Sequence, residues 1–125
     1  MKTGLTVLAL VAATTTGHAG AQALEKGRDC FYSRNINGFT AVDDETINVR
    51  VGVRDIYQLK FLGPSRDVRW ANGIALVSHG GSFICSSLDA TVVVPGPTGP
   101  QRFPVKAIRH LTPDEVANLP RKQRP

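Results

Sequence analysis

Two stretches of strict two-residue alternation, Thr46-Ile47-Asn48-Val49-Arg50-Val51 and Tyr57-Gln58-Leu59-Lys60-Phe61, constrain this chain more than anything else in it. With a side-chain period of two, a β-strand sorts Ile47, Val49 and Val51 to one face and Asn48 and Arg50 to the other. Tyr57, Leu59 and Phe61 part from Gln58 and Lys60 in the same way, with Gly52 to Asp55 between the two runs as a hairpin connection.

Shorter strand patterns flank that pair, separated by Gly, Pro and acidic turns. They are Ile36–Val42, interrupted by Asn37-Gly38, then Ile74–Val77, Ser82–Cys85, Thr91–Val94 and Phe103–Ile108. Pro95-Gly96-Pro97-Thr98-Gly99-Pro100 is far too short for a collagen-like repeat and reads as a rigid connection between two strands. Between Ser65 and Gly73 a Ser-capped helical turn is expected, with Val68 and Ala71 turned inward. Thr112-Pro113-Asp114-Glu115 has the form of a capping box with Pro at the first helical position, ahead of a helix of two turns at most. The expected fold is all-β, mainly antiparallel: a small barrel or rolled sheet of six to seven short strands with a short C-terminal helix. The expected core comprises Phe39, Val42, Ile47, Val49, Val51, Tyr57, Leu59, Phe61, Trp70, Ile74, Leu76, Ile84, Val92, Val94, Val105, Ile108 and Leu111.

The first 23 residues read differently. Lys2 precedes the apolar run Leu5 to Ala13, and small residues follow at Ala19-Gly20-Ala21 and Ala21-Gln22-Ala23. This is the three-part layout of a secretory signal peptide, cleaved near Ala21 or Ala23. The apolar run has about half the ~20 residues of a membrane span, so no membrane span is expected. A periplasmic or secreted protein follows, organised as residues 1–23 (signal peptide), 24–119 (a single small β domain) and 120–125 (a disordered basic tail).

The 125-residue chain carries 15 Lys+Arg against 10 Asp+Glu, a net charge of +5. The excess is mild and spread along the chain, with one cluster at Arg121, Lys122 and Arg124, so no nucleic-acid partner is expected. Two Cys exclude a four-thiolate metal site. In an oxidising compartment Cys30 and Cys85 are expected to form a structural disulfide, and closing that separation is worth about 4 kcal/mol in the chain-entropy account.

No catalytic residue, cofactor or metal site stands out. His79 lies in Ser78-His79-Gly80-Gly81, which evokes an esterase oxyanion loop, but the Gly-x-Ser-x-Gly partner motif is missing. His79 and His110 alone fall short of the three protein ligands of a catalytic zinc. Asp43-Asp44-Glu45 lacks the alternating ligand spacing of a calcium loop. Sequence spacing leaves Asp55, Asp89, Glu115 and the Ser86-Ser87 pair available to a site assembled by the fold. The expectation is a non-catalytic binding or structural module of the bacterial cell envelope. Its candidate surface is the polar face of the hairpin (Asn48, Arg50, Gln58, Lys60), and its partner an anionic envelope component or another periplasmic protein. The alternative is a small periplasmic hydrolase, or a metal or small-ligand carrier, using His79 or His110.

One further pattern spans nearly the whole mature chain. It runs from Cys30 and Ile36-x-Gly38-Phe39 through Asp43-Asp44, Tyr57-x-Leu59, Gly63-Pro64, Trp70-Ala71 and Gly81-Ser82-x-Ile84-Cys85. It continues with Gly99-Pro100-Gln101-Arg102, Pro104-Val105 and Leu111-Thr112-Pro113-x-Glu115. Over about residues 28–119 this resembles a bacterial domain-of-unknown-function family of small exported proteins. The resemblance implies Cys at the positions of Ser65 and Phe103 in many members. Their joint loss here suits a second disulfide lost as a unit, leaving Cys30 with Cys85. It implies no activity, ligand or catalytic residue.

Overall fold

The computed structural model describes residues 30–125, so the expected signal peptide lies outside the described residues. Among the described residues there are eight strands: β1 (Phe31–Tyr32), β2 (Ile36–Ala41), β3 (Thr46–Val51), β4 (Asp55–Phe61), β5 (Ala75–Ser78), β6 (Phe83–Ile84), β7 (Ala90–Gly96) and β8 (Gly99–His110). Six make one curled sheet in the order β2-β3-β4-β8-β7-β5, and β1 with β6 forms a separate two-stranded ribbon. All pairings are antiparallel. The sheet stays open as a half-barrel with β2 and β5 as its edges.

The alternating runs behave as their pattern demands. Ile47, Val49, Leu59 and Phe61 are fully buried, with Val51 and Tyr57 close behind. Opposite partners are Ile47 with Leu59 and Val49 with Tyr57. At about 1.5–3 kcal/mol for each fully buried large apolar side chain, this inner face supplies much of the driving force for folding. Gly52, at φ 64°, lets the chain reverse between β3 and β4. The Pro-rich stretch proves to be the closed end of a hairpin, with Pro95 opposite Pro100 and Gly96 opposite Gly99.

β8 joins the two halves of the sheet. Its first half pairs with β7 and its second with β4, and the register shifts between Lys60 and Phe61. The ribbon packs on the core through Phe31 and Ile84. Cys30 and Cys85, which flank it, are disulfide-bonded as expected. The helix α1 (Pro113–Ala117) starts where expected, the Thr112 hydroxyl accepting from Glu115 N–H at 3.2 Å.

Three local expectations need correction. Trp70 is 83% exposed, because the tight 3-10 turn Arg66–Arg69 buries Val68 and carries Trp70 past the core. Ser65 does not cap that turn: its buried hydroxyl has no hydrogen-bond partner, while its N–H donates to Asp44 O at 2.6 Å. Phe39, Ile74, Leu76 and Ile108 pack around the core half-buried and Val42 is half-buried outside it, while Phe31, Ile56 and Ala90 are buried apolar residues that alternation did not single out. Beyond the helix, a 3-10 turn spans Arg121–Gln123.

Candidate functional site

The outer face of β2–β3–β4–β8 is built from cross-strand rows. One row is Thr40, Asn48, Gln58 and Arg109; the next is Gly38, Arg50 and Ile56. Lys60 lies a rung away, opposite Thr46 and Ala107. The expected surface of Asn48, Arg50, Gln58 and Lys60 is therefore contiguous, but only Lys60 is exposed. Asn48 is fully buried, its amide donating to Gln123 O at 2.9 Å while its Oδ1 accepts from Gln58 Nε2 at 3.2 Å. Arg50 donates to Pro125 O. Gln58 also meets Arg109, at 3.5 Å.

Beside Arg50 the face opens into a cleft of about 680 Å3. It is lined by Val53 and Arg54 of the β3–β4 turn, Asp55 and Ile56 at the start of β4, Leu111, and Pro113 and Val116 of α1. His110, the last residue of β8, faces Asp55 with Nε2 3.2 Å from Oδ1. Its ring stacks on Tyr57, centroids 4.5 Å apart and planes 11° apart, and Tyr57 in turn packs on Phe31 at 4.5 Å. The imidazole is thus held by a ring below and a carboxylate at its edge. The cleft's charged groups are Arg50, Arg54 and Asp55, two cations against one anion, a bias towards anions.

Arg109 points out of the same strand and pairs with Glu115 of α1, fastening the helix beside the cleft. The Arg109 hydrogen bond, opposed by desolvation and aided by Arg109's charge and Thr112, holds the Glu115 carboxyl below its ordinary pKa.

The other candidates fall elsewhere. His79 Nε2 lies 2.7 Å from Thr91 Oγ1. Asp89 closes its own 3-10 turn, accepting from Ser86 N–H at 3.1 Å and from the Ser86 hydroxyl at 3.3 Å. Ser86 and Asp89 therefore meet, but the His79 ring engages Thr91. His79 and His110 stand on different elements with different partners. Among the described residues no group of three or more His, Cys, Asp or Glu is placed to hold a metal ion. Nor is any helix among them long and apolar enough to cross a membrane.

Arg54 and the Asp55–His110 contact were not joined into a site by sequence reading. The missing signal is the pairing of β4 with β8, which sets Tyr57 opposite His110, 53 positions further along the chain. No local pattern encodes that register.

A family model described as "Family of unknown function (DUF6491)" matches residues 1–125. No curated protein and no solved structure matches the chain.

Proposed function

We propose that this chain, which belongs to the family of unknown function DUF6491, is an exported, non-catalytic binding module of the bacterial cell envelope. Its ligand is a small anion with an apolar body, such as a carboxylate-bearing envelope component. The observation that carries this reading is the cleft itself, where Arg50, Arg54 and His110 adjoin Val53, Ile56, Leu111 and Val116. Guanidinium groups offer forked donors to a carboxylate or phosphate, and the apolar wall offers burial to the rest of the ligand. No Ser, Thr or Cys lines the cleft, so its lining supplies no hydroxyl or thiol nucleophile of those types. Export is supported by the layout of residues 1–23 and is consistent with the Cys30–Cys85 disulfide.

Octanoate serves as the probe, with isothermal titration calorimetry as the measurement. Saturable binding that Arg54→Ala weakens about tenfold, the loss of one charge-assisted contact, supports the assignment. Absence of heat with octanoate and with inorganic phosphate overturns it. The Asp55–His110 contact at 3.2 Å is the one observation favouring the hydrolytic alternative. Ester turnover by the chain that disappears in His110→Ala would replace the binding reading with that one.

A further inference from the structure

The 3-10 turn Arg66–Arg69 packs against β7, and where it nears the closed end of the β7–β8 hairpin it leaves a cleft of about 390 Å3. Asp67, Trp70 and Asn72 line it from the turn and the residues just after it; Pro95, Gly96 and Pro97 line it from the hairpin. Trp70 is the only tryptophan of the chain and is 83% exposed. Its backbone N–H donates to Asp67 O at 3.0 Å, which ties the indole and the carboxylate to one tight turn. The lack of a side chain at Gly96 lets the two segments close up: a Cβ there would stand 3.1 Å from Asp67 Oδ2 and 3.0 Å from Gln101 Nε2. No partner among the described residues hydrogen-bonds the Asp67 carboxylate or the Asn72 side chain. The lining holds one charged group, a carboxylate, where the Arg50–Arg54 cleft holds two cations.

We propose that this cleft binds a neutral carbohydrate, one pyranose ring stacking on the Trp70 indole while its hydroxyls bond to Asp67 and Asn72. The chemistry follows from the group types. A pyranose whose substituents are all equatorial presents flat faces of C–H bonds, apolar and slightly positive, which suit the negative face of an indole. Its rim of vicinal hydroxyls calls for acceptors and donors side by side. An ionised carboxylate only accepts, so Asp67 takes hydroxyl protons, whereas the Asn72 amide both donates and accepts. Pro95 and Pro97 add apolar surface that loses no side-chain freedom when covered. The volume lies at the small end of the range for ligand clefts, about 300–1,000 Å3, which suits a short stretch of a sugar chain. Cation cages and grooves for proline-rich peptides are lined by several aromatic rings, whereas Trp70 is the only aromatic in this lining. The turn that carries Trp70 past the core delivers it to this cleft. This inference goes beyond the anion cleft and does not rest on it, for the two clefts share no lining residue.

With a single tryptophan in the chain, indole fluorescence reports on this cleft alone. The probes are triacetylchitotriose and cellotriose, both β-linked trisaccharides with equatorial substituents. Either or both should give a saturable blue shift of the emission, as a sugar ring replaces water on the indole. Asp67→Asn should weaken that binding about tenfold, the loss of a charge-assisted hydrogen bond. Trp70→Ala removes an exposed side chain and leaves the core intact; it should abolish the heat of binding in calorimetry, and Trp70→Phe should keep part of it. Octanoate binding should be unchanged in Trp70→Ala and sugar binding unchanged in Arg54→Ala, so each site can fail without the other. Co-sedimentation with purified peptidoglycan sacculi separates the sources of the sugar. Pelleting that is lost in Trp70→Ala assigns a wall glycan, and soluble binding without pelleting assigns a free oligosaccharide. No response to either trisaccharide, or a response indifferent to both Trp70→Ala and Asp67→Asn, overturns the proposal. So does a shift produced by choline or by a polyproline peptide and not by the sugars.

Discussion

The hairpin β3–β4 and the ribbon β1–β6 are both antiparallel pairs, yet they are secured by different forces. The hairpin has six rungs, from Thr46 opposite Lys60 to Val51 opposite Asp55, and its inner side chains are all buried. The ribbon has two rungs, Phe31 opposite Ile84 and Tyr32 opposite Phe83. One of them faces the core; on the other, Tyr32 and Phe83 form an exposed edge-to-face pair with centroids 4.2 Å apart. A ribbon so short cannot hold itself together in water. The Cys30–Cys85 bond joins its two strands at one end, and Ser33 N–H donating to Ser82 O at 3.0 Å continues the pairing at the other. Apolar burial suffices where strands are long, and a covalent tie takes over where they are not.

Three substitutions would sharpen that contrast or break it. Phe61→Ala strikes the hairpin where a fully buried ring stacks on Phe103 at 5.6 Å. It should cost about 3–5 kcal/mol, read as a shift of the urea midpoint without change of slope. A loss under about 1 kcal/mol, typical of a surface substitution, would mean the hairpin is not the seat of stability. Converting Cys30 and Cys85 together to Ser should cost about 3 kcal/mol, a little under the chain-entropy value for so wide a closure. Hydrogen exchange would show the amides of Phe31 and Ile84 opening while those of Val49 and Leu59 stay protected. Because Phe31 supports Tyr57 and Tyr57 supports His110, octanoate affinity should fall as well. Equal loosening of ribbon and hairpin would erase the distinction. Tyr32→Ala, which removes only the exposed ring pair, should cost about 0.5–1 kcal/mol. A change several times larger in the melting transition would show the ribbon's outer side to be a structural contact in its own right.

The same contrast explains what could be read from the residues beforehand. Alternation in Thr46–Phe61 reports burial directly, because each inward residue answers to one core, and the hairpin and most of its buried residues were legible from it. Thr112 was legible as a cap for a similar reason, its partner Glu115 being three residues away. Trp70 was misjudged because apolar character cannot tell a core ring from one thrown outward by a tight turn. Asn48 and Arg50 were placed correctly on the outer face, but their partners, Gln123 and Pro125, lie 75 residues away and leave no local trace. The Asp55–His110 contact, 55 residues apart, is hidden for the same reason.

The position of β8 in the sheet also governs the order in which the chain can assemble. β2, β3 and β4 are consecutive and pair with their sequence neighbours, so they can form as soon as they exist. β4 then waits, one row of its backbone donors and acceptors unpaired, until Val105–His110 arrives from near the far end of the chain. Contacts of such long range are slow to close. In a chain made from its N-terminus, the waiting β4 edge is the surface most open to a wrong strand. By contributing its first half to β7 and its second to β4, a single late strand ends the exposure of both at once.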